Sequence, residues 1–190
     1  MIYKYFKISA LLFALAICVF SCKKSEETPS KNVAKLGAQT NVEIGGFLSV
    51  AFKTVYAQDA AASNQEKIDI LCFYEEEGGN YIAIAAPGTG INGIFTGESA
   101  PENWTVKNQT YFTVPATELS IEQFDQLADG DAIIQGYYDE TVTSGNRKVK
   151  NLKINDIYAF KTADGTFGIF KVMDVSQGVS GYVELEYKTK

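Results

Sequence analysis

Residues 156–175 read DIYAFKTADGTFGIFKVMDV, and the fold turns on how this stretch pairs. Asp164-Gly165 is a two-residue hairpin signal, because a tight β-turn needs residues that tolerate φ > 0. The runs on either side are rich in β-branched and aromatic residues, which suit a pleated surface. Asp156 to Thr162 therefore reads as one strand and Phe167 to Val175 as its antiparallel partner. After Gly178 to Gly181, Val183, Leu185 and Tyr187 alternate with Tyr182, Glu184 and Glu186. That period of two predicts an outer strand with one apolar and one wet face. The chain thus ends in an antiparallel meander.

Working outward, Tyr111 to Val114 is a strand ended by Pro115. Ser120 with Gln123 forms a capping box, and Leu119 with Phe124 a hydrophobic staple. They predict a helix from Ile121 to Ala128 that stops at Gly130. Ala132 to Tyr138 reads as another strand. Further upstream, Phe47 to Val55 reads as a strand and Ala57 to Glu66 as a short helix. Lys67 to Glu75 and Tyr81 to Ala86 pair across Gly78, Gly79 and Asn80. Pro87 to Trp104 is glycine-rich and irregular. Ala51-Phe52-Lys53-Thr54 recurs at Ala159-Phe160-Lys161-Thr162, too short a match to define a repeat. Strands separated by two short helices predict one α+β domain over residues 36–190, mainly antiparallel sheet with a C-terminal β-meander.

The N-terminus has a different character. Lys4 and Lys7 precede an apolar run, Ile8 to Phe20, of thirteen residues. A membrane span needs ~20 such residues, so this is the length of a signal-peptide core. Val19-Phe20-Ser21-Cys22 resembles a bacterial lipobox, although Phe20 departs from the small or aliphatic residue usual there. The resemblance implies a signal peptide over 1–21 and acylation of Cys22. Palmitate and diacylglycerol on that cysteine would make a stable membrane anchor. Lys23, in place of aspartate, implies the outer membrane, and Lys23 to Glu27 resembles the charged export tag of surface lipoproteins. Periplasmic and cell-surface faces both stay open. Residues 22–35 are polar and read as a flexible tether.

From about Val33 onward the chain resembles uncharacterised Bacteroidetes lipoproteins. Leu36-Gly37-Ala38-Gln39, Val55-Tyr56, Asn64-Gln65 and Ile68-Asp69-Ile70 carry the likeness, as do Ile157 to Thr162 and Gly168 to Val172. The resemblance brings no activity and no site with it.

Composition excludes several chemistries. There is no histidine, which removes the Ser-His-Asp and Cys-His arrangements and the commonest zinc ligand. Cys72 is the single cysteine beyond Cys22, so no disulfide within the domain is possible. It sits in an apolar run and reads as a buried, inert thiol. No metal or other cofactor is expected. Between Leu36 and Asn146 three lysines face sixteen acids, which opposes nucleic-acid binding. Arg147 to Lys190 reverses the balance, with eight basic residues against five acids, and reads as a solvated face.

The remaining candidates are carboxylates and aromatics. Glu75, Glu76 and Glu77 read as a solvated hairpin tip, and Asp139 and Glu140 likewise. Asp125, Asp129 and Asp131 lack the spacing of a calcium loop. The glycines at 88, 90, 93 and 97 lack the ending of a phosphate loop. Trp104, near Tyr111, is the candidate ligand-binding pair: an exposed indole stacks on a sugar ring, whereas a folded-down one serves as a core lid. These residues point to a non-catalytic, outer-membrane-anchored module that binds a glycan or envelope protein or has a structural role. Two alternatives remain: a carboxylate-based hydrolase such as a glycosidase, and a lipocalin-like carrier with an apolar cavity in a closed barrel.

Overall fold

The structure is a computed structural model, and it describes residues 31–190. The signal segment, Cys22 and the first part of the tether lie outside the described residues. In chain order the strands are β1 (Asn32–Gly37), β2 (Phe47–Ser49), β3 (Thr54–Tyr56), β4 (Ile70–Glu75) and β5 (Tyr81–Ala85). There follow β6 (Tyr111–Thr113), β7 (Lys148–Val149), β8 (Ile157–Lys161), β9 (Phe167–Ser176) and β10 (Tyr182–Thr189). Helix α1 (Gln58–Ala62) lies between β3 and β4, and α2 (Ile121–Gln126) between β6 and β7.

These strands form two five-stranded sheets, ordered β1-β10-β9-β8-β6 and β3-β2-β4-β5-β7, with every pairing antiparallel. The α+β expectation is thereby corrected: the described residues are mainly β, two sheets face to face, and the α-helices among them are only five and six residues long. Hairpin signals are local and show who pairs with whom. Nothing local says that the pairs divide between two sheets, because that depends on which apolar faces meet.

The faces explain the packing. Val183, Leu185 and Tyr187 of β10 turn inward with Phe160, Phe170 and Val172, and meet Leu48, Ile70, Cys72, Ile82 and Ile84 of the other sheet. Each such side chain contributes roughly 1.5–3 kcal/mol on burial. Both outer faces are covered as well. Phe124 of α2, with Ile134 and Tyr138, packs on Ala159 and Ile169. Phe95 and Trp104 pack on Phe47, Leu71 and Phe73. The lipocalin-like alternative needs one closed barrel, and the observed sheets are two open ones with this packed layer between them.

Local expectations fare unevenly. The capping box is present: the Gln123 N–H donates to Ser120 Oγ at 3.2 Å and the Ser120 N–H to Gln123 Oε1 at 2.8 Å. Ser120→Ala is expected to lower stability by ~1 kcal/mol, read from the urea midpoint. The helix ends at Gln126 rather than Ala128. The Lys188 ammonium reaches the carbonyls of Phe124 at 2.5 Å and Leu127 at 2.6 Å, so a cation sits at the negative end of the helix.

Phe47 to Val55 is not one strand. It breaks at Val50 to Lys53 into a β2–β3 hairpin, with Lys53 at φ 50°. The Val50 N–H donates to the Asp69 carboxylate at 2.9 Å instead of to a strand neighbour. Ala132–Tyr137 is a 3-10 helix, not a strand, and Asp131 caps it by accepting from the Ile133 N–H. The tether was expected to run to Lys35, but Asn32 to Lys35 belong to β1, paired with Tyr187 to Glu184.

The expected wet face of β10 is the largest departure. Glu186 is completely buried, with Lys171 and Lys188 buried beside it. Its carboxylate lies 3.0 Å from Lys31, 3.8 Å from Lys171 and 3.9 Å from Lys188. Lys171 also pairs with Asp125 of α2. The two ammonium groups lie 4.9 and 4.6 Å from the centre of the Phe124 ring. Alternation marks the faces of a strand; it does not say whether a helix will lie over the polar one.

Candidate functional site

An open groove of about 810 Å³ lies where β1 ends and β2 begins. One wall is the loop from Ala38 to Gly46. Asn41 holds its shape: Oδ1 accepts from the N–H groups of Glu43 and Ile44 at 3.2 and 3.0 Å, and Nδ2 donates to the Ser180 carbonyl at 2.9 Å. This is an Asx turn tied to the β9–β10 connection. Gln39 braces the loop against β4, donating to the Tyr74 carbonyl at 3.0 Å and accepting from its N–H at 2.8 Å.

Two glycines are required here by close approach. A Cβ on Gly45 would lie 2.5 Å from the Tyr56 carbonyl oxygen, and one on Gly46 2.6 Å from that of Gly37. The sequence shows this pair only as a strand start. Its packing role comes from three chain segments crossing.

The opposite wall runs from Phe95 to Ser99. Gln58 Nε2 donates to the Thr96 carbonyl at 2.8 Å, and the Ser99 hydroxyl donates to Asp59 Oδ1 at 2.6 Å. Phe47 and Phe95 also line the groove, their ring centres 5.2 Å apart. Glu43, Asp59 and Glu98 are among its lining residues, and among the described residues no lysine or arginine lines it. Val42 stands at the loop tip, 98% exposed.

Trp104 is placed behind this groove, not in it. It is 4% exposed, packs on Phe47 at 5.5 Å between ring centres, and donates its indole N–H to the Ser99 carbonyl at 2.8 Å. The stacking platform expected of Trp104 is corrected accordingly: the ring is a lid over the core. An irregular loop can fold its large aromatics inward, here Phe95 as well as Trp104, because burial of a ring outweighs local irregularity. Tyr111 is half-buried on β6 and belongs to the cluster under α2, so the two aromatics do not share a site.

The other predicted residues are accounted for singly. Glu75 pairs with Lys148 at 3.2 Å, while Glu76 and Glu77 are exposed at the hairpin. Asp129 pairs with Lys53 at 2.9 Å and accepts from the Thr189 N–H. Asp139 accepts from the N–H and hydroxyl of Thr141. Cys72 is fully buried, and that burial pushes its thiol far above the usual range, so it is no nucleophile at neutral pH. Asp69 and Asp164 line one pocket elsewhere, which sequence reading did not single out. Its only trace in the sequence is an aspartate between isoleucines 68 and 70.

No family model matches the chain, and no curated protein matches it. Among solved structures it is similar to that of a DUF4466 family protein from Parabacteroides merdae, with a TM-score of 0.49 and 15% identity. The likeness covers 85% of this chain, which spans about half (55%) of the other protein.

Proposed function

We propose that the protein is a non-catalytic module, anchored to the outer membrane through Cys22, that holds a basic segment of an envelope partner in the groove beside Val42. One observation carries this reading: among the described residues, three carboxylates and no basic residue line a groove of about 810 Å³. A field of one sign attracts cationic segments and repels anionic ones. The placement of β1 supports it. That strand runs from Asn32, where the tether enters, to Gly37 in the groove wall. Six residues of strand, ~20 Å, thus separate the tether from the groove.

Trp104 supplies the readout, being the single tryptophan and packed on Phe47 of the groove. The full chain in detergent is titrated with a lysine-rich decapeptide and a glutamate-rich one. The basic peptide is expected to shift Trp104 emission, more weakly as salt rises. Glu43→Gln with Glu98→Gln should weaken that binding about tenfold, one factor of ten being ~1.4 kcal/mol. Equal response to both peptides, or none to either, removes the reading. Anchoring is tested separately by labelled palmitate, expected on the native protein and absent from Cys22→Ser.

A further inference from the structure

A second concavity, about 340 Å³, opens beside the β2–β3 hairpin and has no part in the groove. Ser49, Phe52, Lys67, Asp69, Asn108 and Asp164 are among its lining residues. Phe52 stands at the hairpin turn, 61% exposed, with the Lys67 ammonium 5.6 Å from the centre of its ring. Ser49 is fully buried, and its hydroxyl has no hydrogen-bond partner among the described residues. A buried polar atom without a partner is rare in a folded protein, so this one calls for an explanation.

The hydrogen-bonding capacity of the lining is one-sided. Asp69 spends Oδ2 on the Val50 N–H at 2.9 Å, and no bond to its Oδ1 is present among the described residues. Asn108 gives its Nδ2 hydrogens to the carbonyls of Glu66 at 3.0 Å and Ile68 at 2.8 Å, which leaves its Oδ1 as an acceptor. Asp164 takes the Thr162 hydroxyl and the Thr166 N–H on Oδ1, leaving Oδ2. The Lys67 ammonium is engaged by Asn64 Oδ1 at 2.7 Å. Free acceptors therefore accumulate beside an exposed aromatic face. The matching ligand donates several hydrogen bonds from one edge and offers an apolar face to the ring. Phosphates and carboxylates do neither, and Asp69, Asp164 and Glu66 repel them.

We propose that this pocket binds a neutral saccharide ring, with Phe52 stacked on its C–H face and Asp69, Asn108 and Asp164 accepting from its hydroxyls. The Ser49 hydroxyl is fully covered and is not a contact of the sugar. Burial pushes the Asp69 carboxyl up to about 6, so near neutral pH a fraction of it keeps a proton and can also donate. The sugar can be free or can be the headgroup of a glycolipid, since the ring chemistry is common to both.

The test uses the full chain in detergent and saturation-transfer NMR with galactose, mannose and N-acetylglucosamine, each in excess. A second arm titrates the same detergent-solubilised chain with lipopolysaccharide and reads saturation transfer to its sugar protons. Saturable binding of any free sugar supports a soluble ligand. Binding of lipopolysaccharide with no response to any free sugar, lost in Phe52→Ala, supports a headgroup. In either case Phe52→Ala and Asp164→Asn should weaken binding at least tenfold, and Phe52→Tyr should retain it. Phe52 is exposed, so its variants should fold, and unchanged Trp104 emission verifies that. Absence of binding in both arms overturns the proposal. So does binding that Phe52→Ala leaves intact, or displacement of the sugar by inorganic phosphate. None of these outcomes bears on the basic-peptide groove.

Discussion

Replacing Glu186 with Gln is expected to destabilise the protein by about 3–5 kcal/mol, among the largest effects for a single residue. The carboxylate is completely buried between Lys31, Lys171 and Lys188, and two of those three ammonium groups are buried with it. Taking an ion out of water costs several kcal/mol after relaxation, and only the opposite charge offsets it. Gln keeps the shape and removes the charge. Among the described residues Lys171 then has only Asp125, which is 43% exposed, and Lys188 has only backbone carbonyls.

The same reasoning predicts partial rescue. Lys171→Met added to Glu186→Leu removes an ion from each side of the account, and should recover a substantial part of the loss. One oxygen of Glu186, Oε1, makes no hydrogen bond among the described residues, so the native cluster is not itself an optimum. Urea denaturation of both variants decides the matter. A Glu186→Gln loss below about 0.5 kcal/mol would mean that water reaches the cluster.

Trp104→Ala carries the second large effect, a loss of about 3–5 kcal/mol with a fall in midpoint. A surface platform would cost almost nothing to remove. Here the ring is 4% exposed, packs on Phe47, and ties Ser99 down through the indole N–H. Its removal leaves a void under Phe47 and Phe95 and orphans the Ser99 carbonyl, which also loosens the wall held by Asp59. Trp104→Phe should keep much of the stability, since it retains most of the buried ring but loses the hydrogen bond. Near-native stability in Trp104→Ala would restore the exposed-platform reading.

Residue order alone determined a good deal of this protein. The β8–β9 hairpin, whose loop centres on Asp164 rather than closing in the two residues expected, the turn at Gly78 to Asn80 and the capping box at Ser120 and Gln123 were readable, because each involves residues within a few positions of one another. The absence of histidine and the lone internal cysteine limited the chemistry before any coordinates were needed. Tertiary structure decided everything that depends on which faces meet. It divided the strands between two sheets, drew Asn32 to Lys35 into β1, and laid α2 over the polar face of β10 so that Glu186 became an interior ion. It also turned Trp104 inward, left Phe52 exposed, and brought Asp69 and Asp164 to one pocket from positions 95 residues apart. Local signals report on backbone torsion and short-range hydrogen bonds. Burial is set by surfaces that arrive from distant parts of the chain, and no window of sequence contains both of them.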